Sequence, residues 1–212
     1  MRKEFESPER FAAQLAEVGG FLSRACSFTG HRPQKFPWRY NEGDPACVAL
    51  KETLADQITQ LYETGYTEFL TGMALGVDLW AAQIVLDLRR KKRGLGIFGL
   101  GRKNDAPKLH CILPCEGQED KWPRSAQERY RDILKQADSI VYVSREYDDQ
   151  CMLRRNHVLV NFSSMVLAVY DGSFKSGTGA TVRYARKQGR ELILIDPVTR
   201  AVSREEKQEA ER

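Results

Sequence analysis

Residues 67–90 read TEFLTGMALGVDLWAAQIVLDLRR, and this stretch decides the fold. Thr67 to Thr71 is a short, largely apolar run of the kind that forms a buried strand. Leu75 to Arg90 repeats apolar residues at helical spacing, and Gly72 and Gly76 lie between the two runs. A strand, a glycine-bearing turn and a helix form one β–α unit, which is the building block of a parallel sheet.

The same alternation continues along the chain. Asp44 and Pro45 are typical of a helix start, Gly65 is typical of a helix end, and Ser125 with Glu128 predicts a capping box. The patterns predict further strands at Arg24–Thr29, Leu109–Leu113, Ser139–Val143, Met165–Tyr170 and Glu191–Ile195. They predict further helices at Pro45–Thr64, Ser125–Ala137, Asp149–Phe162 and Thr178–Gln188. We therefore expect an α/β fold, a Rossmann-like three-layer sandwich with a mostly parallel sheet.

A chain of 212 residues suits one such domain, which we place at residues 1–198. Residues 91–107 interrupt the alternation and are rich in glycine and charge, so we expect a flexible loop there. Residues 199–212 are charged and lack apolar periodicity, so we expect a disordered tail.

The positive charge is concentrated in one segment, residues 89–108. Eight basic residues against one acid leave this segment seven charges positive, whereas the whole chain is only +4, so the remainder is about three charges negative. This pattern does not favour a broad nucleic-acid surface. Residues 89–108 are a candidate contact for nucleic acid or an acidic partner, and the alternative is a solvated helix end followed by a loop.

Composition also narrows the protein class. The sequence has no run of about 18 or more apolar residues that would predict a membrane span. The charged first ten residues lack the apolar core of a secretory signal. The five cysteines are an odd number and lack the spacing of a zinc site, so we expect reduced thiols, no metal and a cytoplasmic protein.

Three glycine-bearing turns carry the functional signal: residues 29–33 (TGHRP), 71–78 (TGMALGVD) and 176–181 (SGTGAT). Each follows a predicted strand, and the last two lead into a predicted helix. Glycine lets the backbone approach an anion, and the unpaired N–H groups at a helix start favour negative charge. The three turns together predict a nucleotide or a nucleotide-like ligand.

The turn at residues 176–181 is the strongest candidate site. The amides of Gly177, Thr178 and Gly179 would hold a phosphate, and the alternative is an ordinary turn with Thr178 as the N-cap. In the second turn, Gly72 would approach a ribose or phosphate, and Asp78 would orient a hydroxyl or a basic partner. The alternative there is that Gly76 serves close packing and Asp78 is a favourable helix-start charge.

Other candidates follow predicted strands or lie on a predicted helix. After Gly30, Arg32 could pair with a phosphate and His31 could contact a base, or both could brace the loop that follows. Arg155 and Asn156 are interpreted as ligand contacts, against the alternative of a solvated helix face. Asp171 could accept from a ribose hydroxyl or stabilise its own turn.

These residues resemble the YpsA-like branch of the SLOG superfamily over about residues 24–196. Four strings carry the resemblance, in order: Phe28–Pro33, Gly72–Asp78, Arg155-Asn156, and Val169–Gly172 leading to Gly177-Thr178. The resemblance implies a Rossmann-like sheet of the SLOG type that binds nucleotide-derived ligands between strand ends. It also implies relatives of two kinds, DprA, which binds single-stranded DNA, and the LOG phosphoribohydrolases.

The resemblance carries over to the hydrolases only in part. Arg155 falls where the catalytic Arg of the LOG enzymes would be, and Gly177-Thr178 matches their G-T pair. Thr181 stands where those enzymes have a glutamate, and a hydroxyl cannot replace a carboxylate as general base near neutral pH.

The family resemblance and the glycine turns lead to one main hypothesis and two alternatives. We expect a binding or sensor protein for a nucleotide-derived ligand such as NAD or ADP-ribose, without a required cofactor. The alternatives are a nucleotide N-glycoside hydrolase using Arg155, and DprA-like binding of single-stranded nucleic acid through residues 89–108. A homodimer is a further expectation, since relatives often dimerise.

Overall fold

The structure, a computed structural model, describes residues 7–17, 20–97 and 106–206. Its strands are β1 (Ala25–Gly30), β2 (Glu68–Thr71), β3 (Lys108–Leu113), β4 (Ser139–Tyr142), β5 (Met165–Val169), β6 (Glu191–Ile195) and β7 (Val202–Glu205). Its α-helices are α1 (Pro8–Glu17), α2 (Pro45–Glu63), α3 (Val77–Ile97), α4 (Arg124–Gln136), α5 (Cys151–Asn161) and α6 (Gly177–Lys187). Short 3₁₀ turns lie at Leu22–Arg24 and Pro33–Lys35.

The seven strands form one sheet in the order β4-β3-β2-β1-β5-β6-β7. The first six strands are parallel, and β7 pairs antiparallel to β6. The chain moves outward from β1 to β4 and then crosses back to β5, so the strand order reverses between β1 and β5. In open α/β sheets, ligands bind in the crevice outside the carboxyl ends of the strands at such a reversal.

Alternating side chains on the strands bury two apolar layers. On one face Phe69 belongs to a large core with α2, α3 and α4, and on the other Leu70 packs with Phe11 of α1 and Leu159 of α5. A third cluster joins Val166 of β5 to Val182 of α6. The expected three-layer Rossmann-like architecture with a mostly parallel sheet is confirmed.

Local signals place several element ends correctly. The Asp44 side chain accepts a hydrogen bond from Ala46 N at the start of α2, where Pro45 occupies the first helical position. Gly65 follows the helix with a left-handed φ of +107°. The capping box at the start of α4 is wrong, because Glu128 instead pairs with the Arg124 side chain at 3.0 Å and the helix start has no side-chain cap.

Two further expectations need correction. The loop expected from residue 91 begins later, because α3 continues to Ile97; residues 98–105 lie outside the described residues. The tail expected to be disordered from residue 199 instead forms β7, which covers the outer edge of β6, and Glu205 pairs with Arg186 at 2.8 Å. Residues 207–212 lie outside the described residues.

Within the described ranges, no helix has the length and apolar character needed to span a membrane.

Candidate functional site

A pocket of about 420 Å³ opens at the reversal of strand order, where the carboxyl end of β1 meets the start of α6. Its wall comes from four segments: the end of β1 with the loop after it, the turn before α3, one side of α5, and the turn into α6. The predicted site residues that line it are Gly30, His31, Arg32, Asp78, Arg155, Asn156, Gly177 and Thr178. Residues far apart in the sequence therefore meet at one site.

The start of α6 faces the pocket with free backbone donors. Among the described residues, no hydrogen-bond partner is found for the amides of Gly177 and Thr178. A Cβ built on Gly177 would meet no atom within 4 Å, so the pocket reaches this backbone directly. The helix dipole adds to these donors and favours an anion at this end of the pocket.

The cap of α6 is Ser176 rather than Thr178. Ser176 Oγ accepts from Gly179 N at 2.9 Å, which satisfies the one amide of the predicted trio that does not line the pocket. A Cβ on Gly179 would lie 2.6 Å from the Ser173 carbonyl oxygen, so this glycine permits close packing of the turn. The phosphate interpretation therefore applies to Gly177 and Thr178, and Gly179 supports the turn.

A buried ion pair forms the floor of the pocket. Arg155 Nη1 lies 3.3 Å from Asp78 Oδ2, and both residues are about 5% exposed. Asp78 Oδ2 also accepts from Ala74 N at 3.3 Å, which orients the carboxylate. Burial raises the pKa of Asp78, and the Arg155 charge opposes this shift.

Arg155 keeps one donor unused. Its Nε is buried and has no hydrogen-bond partner within the described part of the chain. Burial lowers the pKa of Arg155, with Asp78 opposing, but a guanidinium stays protonated in proteins. An unpaired buried N–H is costly, so this atom is a local weakness of the pocket floor.

Gly72 and Gly76 act beneath the site instead of lining it. A Cβ on Gly72 would lie 1.3 Å from Arg155 Nη1, so Gly72 makes the space that the guanidinium occupies. Gly76 has a φ of +103°, and a Cβ there would lie 2.8 Å from the His31 carbonyl oxygen. Close packing, the alternative interpretation for Gly76, describes that residue, and it also describes Gly72, which we expected to approach a ribose or phosphate.

His31 lines the pocket and is held from behind. His31 Nδ1 lies 3.4 Å from Thr178 Oγ1, and Nε2 lies 2.9 Å from Asp171 Oδ1, although this second contact is not an aligned hydrogen bond. Asp171 does not line the pocket. Burial opposes its ionisation, but hydrogen bonds from Ser173 and the contact with His31 outweigh this and lower its pKa to about 2. Asp171 therefore stabilises its own turn and orients His31.

Three exposed cations surround the mouth of the pocket: Arg32, Lys35 and Lys175. Arg32 and Lys175 have no ion-pair partner in the described ranges. Asp78 is the one carboxylate among the described lining residues, and Arg155 already neutralises it. The pocket is therefore strongly positive and suited to an anionic ligand.

Three lining residues that were not named individually, Thr29, Ala74 and Ser176, lie within the three glycine-bearing turns. Sequence reasoning missed four others, which are Gln34, Lys35, Met152 and Lys175. Lys175 and Ser176 directly precede Gly177, so a basic residue beside a glycine turn was an available signal. Met152 was not detectable in this way, because only the placement of α5 brings it to the pocket.

The basic segment at residues 89–108 is a candidate contact whose side chains the structure describes only at 89–92 and 106–108. There Arg90 and Lys91 are exposed, whereas other basic side chains are held by the protein. The Arg89 guanidinium is buried and donates to the carbonyl oxygens of Pro107 and Gln136 at 2.8 and 3.0 Å, and it also pairs with Asp138. Lys108 pairs with Glu68 at 3.2 Å. The end of α3 and the start of β3 lie at the amino ends of the strands, opposite the pocket. The expected contacts at residues 98–105 lie outside the described residues.

Comparison with known proteins gives a consistent family assignment. The family model named YpsA, described as the YspA SLOG family, matches residues 26–199. A UPF0398 protein of Brevibacillus brevis is 28% identical over 177 residues, which cover 80% of this chain and 88% of that protein. A UPF0398 protein of Halalkalibacterium halodurans is 29% identical over 154 residues, which cover 70% and 75%.

Two solved structures of DNA processing protein A share the fold. The protein from Streptococcus pneumoniae aligns with a TM-score of 0.53 at 14% identity, covering 85% of this chain and 55% of that one. The protein from Helicobacter pylori, described with a single-stranded DNA binding mode, aligns with a TM-score of 0.54 at 18% identity, covering 83% and 66%. This chain thus spans less than two thirds of either structure.

Proposed function

Because the chain belongs to the YpsA SLOG family, we propose that it is a binding or sensor protein whose pocket holds a nucleotide-derived ligand of the NAD or ADP-ribose kind. The observation that carries this proposal is the start of α6, where Gly177 leaves open space in front of two unpaired amides. A phosphate placed there would accept from these amides and face Lys175 and Arg32.

The rest of the pocket suits the remainder of such a ligand. A volume of about 420 Å³ is within the range of roughly 300–1,000 Å³ typical of small-molecule sites. The Arg155 guanidinium lines the pocket, and the Asn156 amide lies on the same wall of α5. Met152 contributes apolar surface against which a base or ribose could pack.

The hydrolase alternative is less well supported by the same contacts. Thr181, which replaces the LOG glutamate, is 2% exposed and donates its hydroxyl to the Gly177 carbonyl oxygen at 3.0 Å. Asp78 is paired with Arg155, and Asp171 is turned toward His31 and Ser173. No carboxylate among the described lining residues is free to act as a general base.

The nucleic-acid alternative through residues 89–108 is likewise less well supported. The described side chains of that segment are largely occupied within the protein, as Arg89 and Lys108 illustrate. Binding of single-stranded DNA at the pocket mouth stays an outcome that the experiment below distinguishes.

Calorimetric titration with ADP-ribose, NAD, AMP and adenosine tests the proposal. We expect saturable binding of at least one phosphate-bearing ligand and none of adenosine, which lacks the anion. Each sample is then separated by chromatography, and the ligand should be recovered intact. Release of a free base that is lost in Arg155→Ala would favour the hydrolase. Binding of single-stranded DNA without binding of any small ligand would favour the DprA-like alternative.

A further inference from the structure

Residues 31–44 connect β1 to α2 and supply a large part of the pocket wall. His31, Arg32, Gln34 and Lys35 of this segment all line the pocket. The 3₁₀ turn at Pro33–Lys35 is the one regular secondary-structure element of this segment. Backbone hydrogen bonds, such as Lys35 N to the Arg32 carbonyl oxygen at 2.9 Å, shape the segment locally. Side-chain contacts to the helices are what fix its position, and that of Arg32 and Lys35, relative to the start of α6.

Glu42, near the far end of this segment, receives charged donors from two helices. Lys51 Nζ of α2 lies 2.6 Å from Glu42 Oε2. Arg129 Nη1 of α4 lies 2.9 and 3.1 Å from the two carboxylate oxygens. Burial opposes ionisation of Glu42, but the bonds from Arg129 and Lys51 outweigh it and lower its pKa to about 2. Glu42 is therefore an anion throughout the neutral range.

An aromatic stack joins Glu42's end of the segment to the pocket end. The Phe36 ring stacks on Trp38 at 5.0 Å and on Trp80 of α3 at 5.5 Å, and Lys51 lies over the Trp80 ring at 5.2 Å. Lys51 thus contacts both the carboxylate and the stack. Phe36 directly follows Lys35, so a shift of this stack would move a cation that lines the pocket.

The alternative interpretation is that Glu42 only forms an ordinary surface ion pair. Such an isolated pair contributes about 0–1 kcal/mol. Three features distinguish Glu42 from such a pair. The carboxylate accepts from two cations, its side chain is 31% exposed, and its partners belong to α2 and α4, which are fixed to the sheet. Networks of this kind contribute more than a single exposed pair.

We propose that Glu42 is a positioning residue for the pocket, which sets the affinity for phosphate-bearing ligands by anchoring the segment that carries Arg32 and Lys35. The inference rests on the proposed function for its ligand. Glu42 does not line the pocket, so the proposal does not have it contact the ligand.

The test compares Glu42→Gln with Glu128→Gln. Glu128 is likewise paired with an arginine, but it lies on α4 and its ion pair is with Arg124 of the same helix, not with residues 31–44. ADP-ribose affinity is measured at several salt concentrations, and backbone hydrogen exchange is measured for residues 31–40. We expect Glu42→Gln to raise the Kd about five-fold or more, a loss of about 1 kcal/mol. Its salt dependence should be shallower, because two cations no longer face the phosphate.

Exchange in residues 31–40 should be faster in Glu42→Gln and unchanged in Glu128→Gln. Exchange and affinity equal to those of Glu128→Gln would overturn the proposal. So would a weaker affinity with an unaltered salt dependence, because a general structural effect would leave the ligand's ionic contacts in place. If the unaltered protein bound no phosphate-bearing ligand, the proposed function would fail. The exchange comparison would still decide whether Glu42 anchors the segment.

Discussion

Replacing Gly72 by alanine should damage the buried floor of the pocket. The new Cβ would lie 1.3 Å from Arg155 Nη1 and 2.2 Å from Arg155 Cζ, so the guanidinium has to move. Gly72 is not among the glycines with left-handed φ, so the alanine itself adds no backbone strain. The effect of the substitution therefore measures the displacement of Arg155.

The expected magnitude follows from the ion pair that is broken. Arg155 and Asp78 are both about 5% exposed and 3.3 Å apart. Breaking a buried pair by removing one partner costs about 3–5 kcal/mol, because the other charge stays buried without compensation. Partial relaxation of the long Arg155 side chain lowers this, so we expect a loss of about 3 kcal/mol in the free energy of unfolding. For a domain of this size, that corresponds to a fall in Tm of roughly 6–12 °C.

Urea unfolding monitored by circular dichroism measures the change. Gly177→Ala is the matched control, since its Cβ would meet nothing within 4 Å and should change stability by less than about 1 kcal/mol. A Gly72→Ala protein within about 0.5 kcal/mol of the original would refute the reasoning, because Arg155 could then not occupy the space next to Gly72.

Three further predictions concern other parts of the molecule. Arg89→Ala should lower the free energy of unfolding by about 2–4 kcal/mol, because it leaves the carbonyl oxygens of Pro107 and Gln136 without their donor; an unchanged urea midpoint would contradict this. Deleting residues 200–212 removes β7, uncovers the edge of β6 and should cause concentration-dependent aggregation in light scattering, whereas a monodisperse, equally stable product would argue against a structural role for β7. The lowered pKa of Glu42 contributes stability that is fully present above the ordinary glutamate pKa of 4.5 and is lost as the pH falls toward about 2. The stability difference between the original protein and Glu42→Gln should therefore shrink over this interval. A difference independent of pH would contradict the assignment.

Local sequence signals identified most of the sheet and the ends of some helices. Asp44, Pro45 and Gly65 act on backbone groups within a few residues, so the bounds of α2 could be predicted from sequence. The run from Glu191 to Ile195 was identified for the same reason, because its apolar residues are consecutive and Gly189 ends the helix before it. Turn glycines at strand ends then located the pocket.

Features that depend on distant residues were missed or misplaced. Glycines at positions 94 and 96 indicated a loop, yet α3 continues to Ile97, because a single glycine costs a helix only about 1 kcal/mol and does not by itself end it. β7 has a polar, charged sequence and forms because β6 offers it an edge. Asp78 and Arg155 are 77 positions apart, and no local pattern shows that they form a pair.

The central claim is that a ligand phosphate lies against the start of α6, and Gly177→Val tests it most directly. The valine side chain would fill the open space at Gly177 and block approach to the unpaired amides, without meeting another atom of the fold at its Cβ. Calorimetric titration with ADP-ribose is compared for the original protein and the variant, with urea unfolding of both as the control. We predict saturable binding to the original protein, its loss in Gly177→Val, and stabilities equal within about 1 kcal/mol. Equal affinity in a folded variant, or no binding to either protein, would contradict the account.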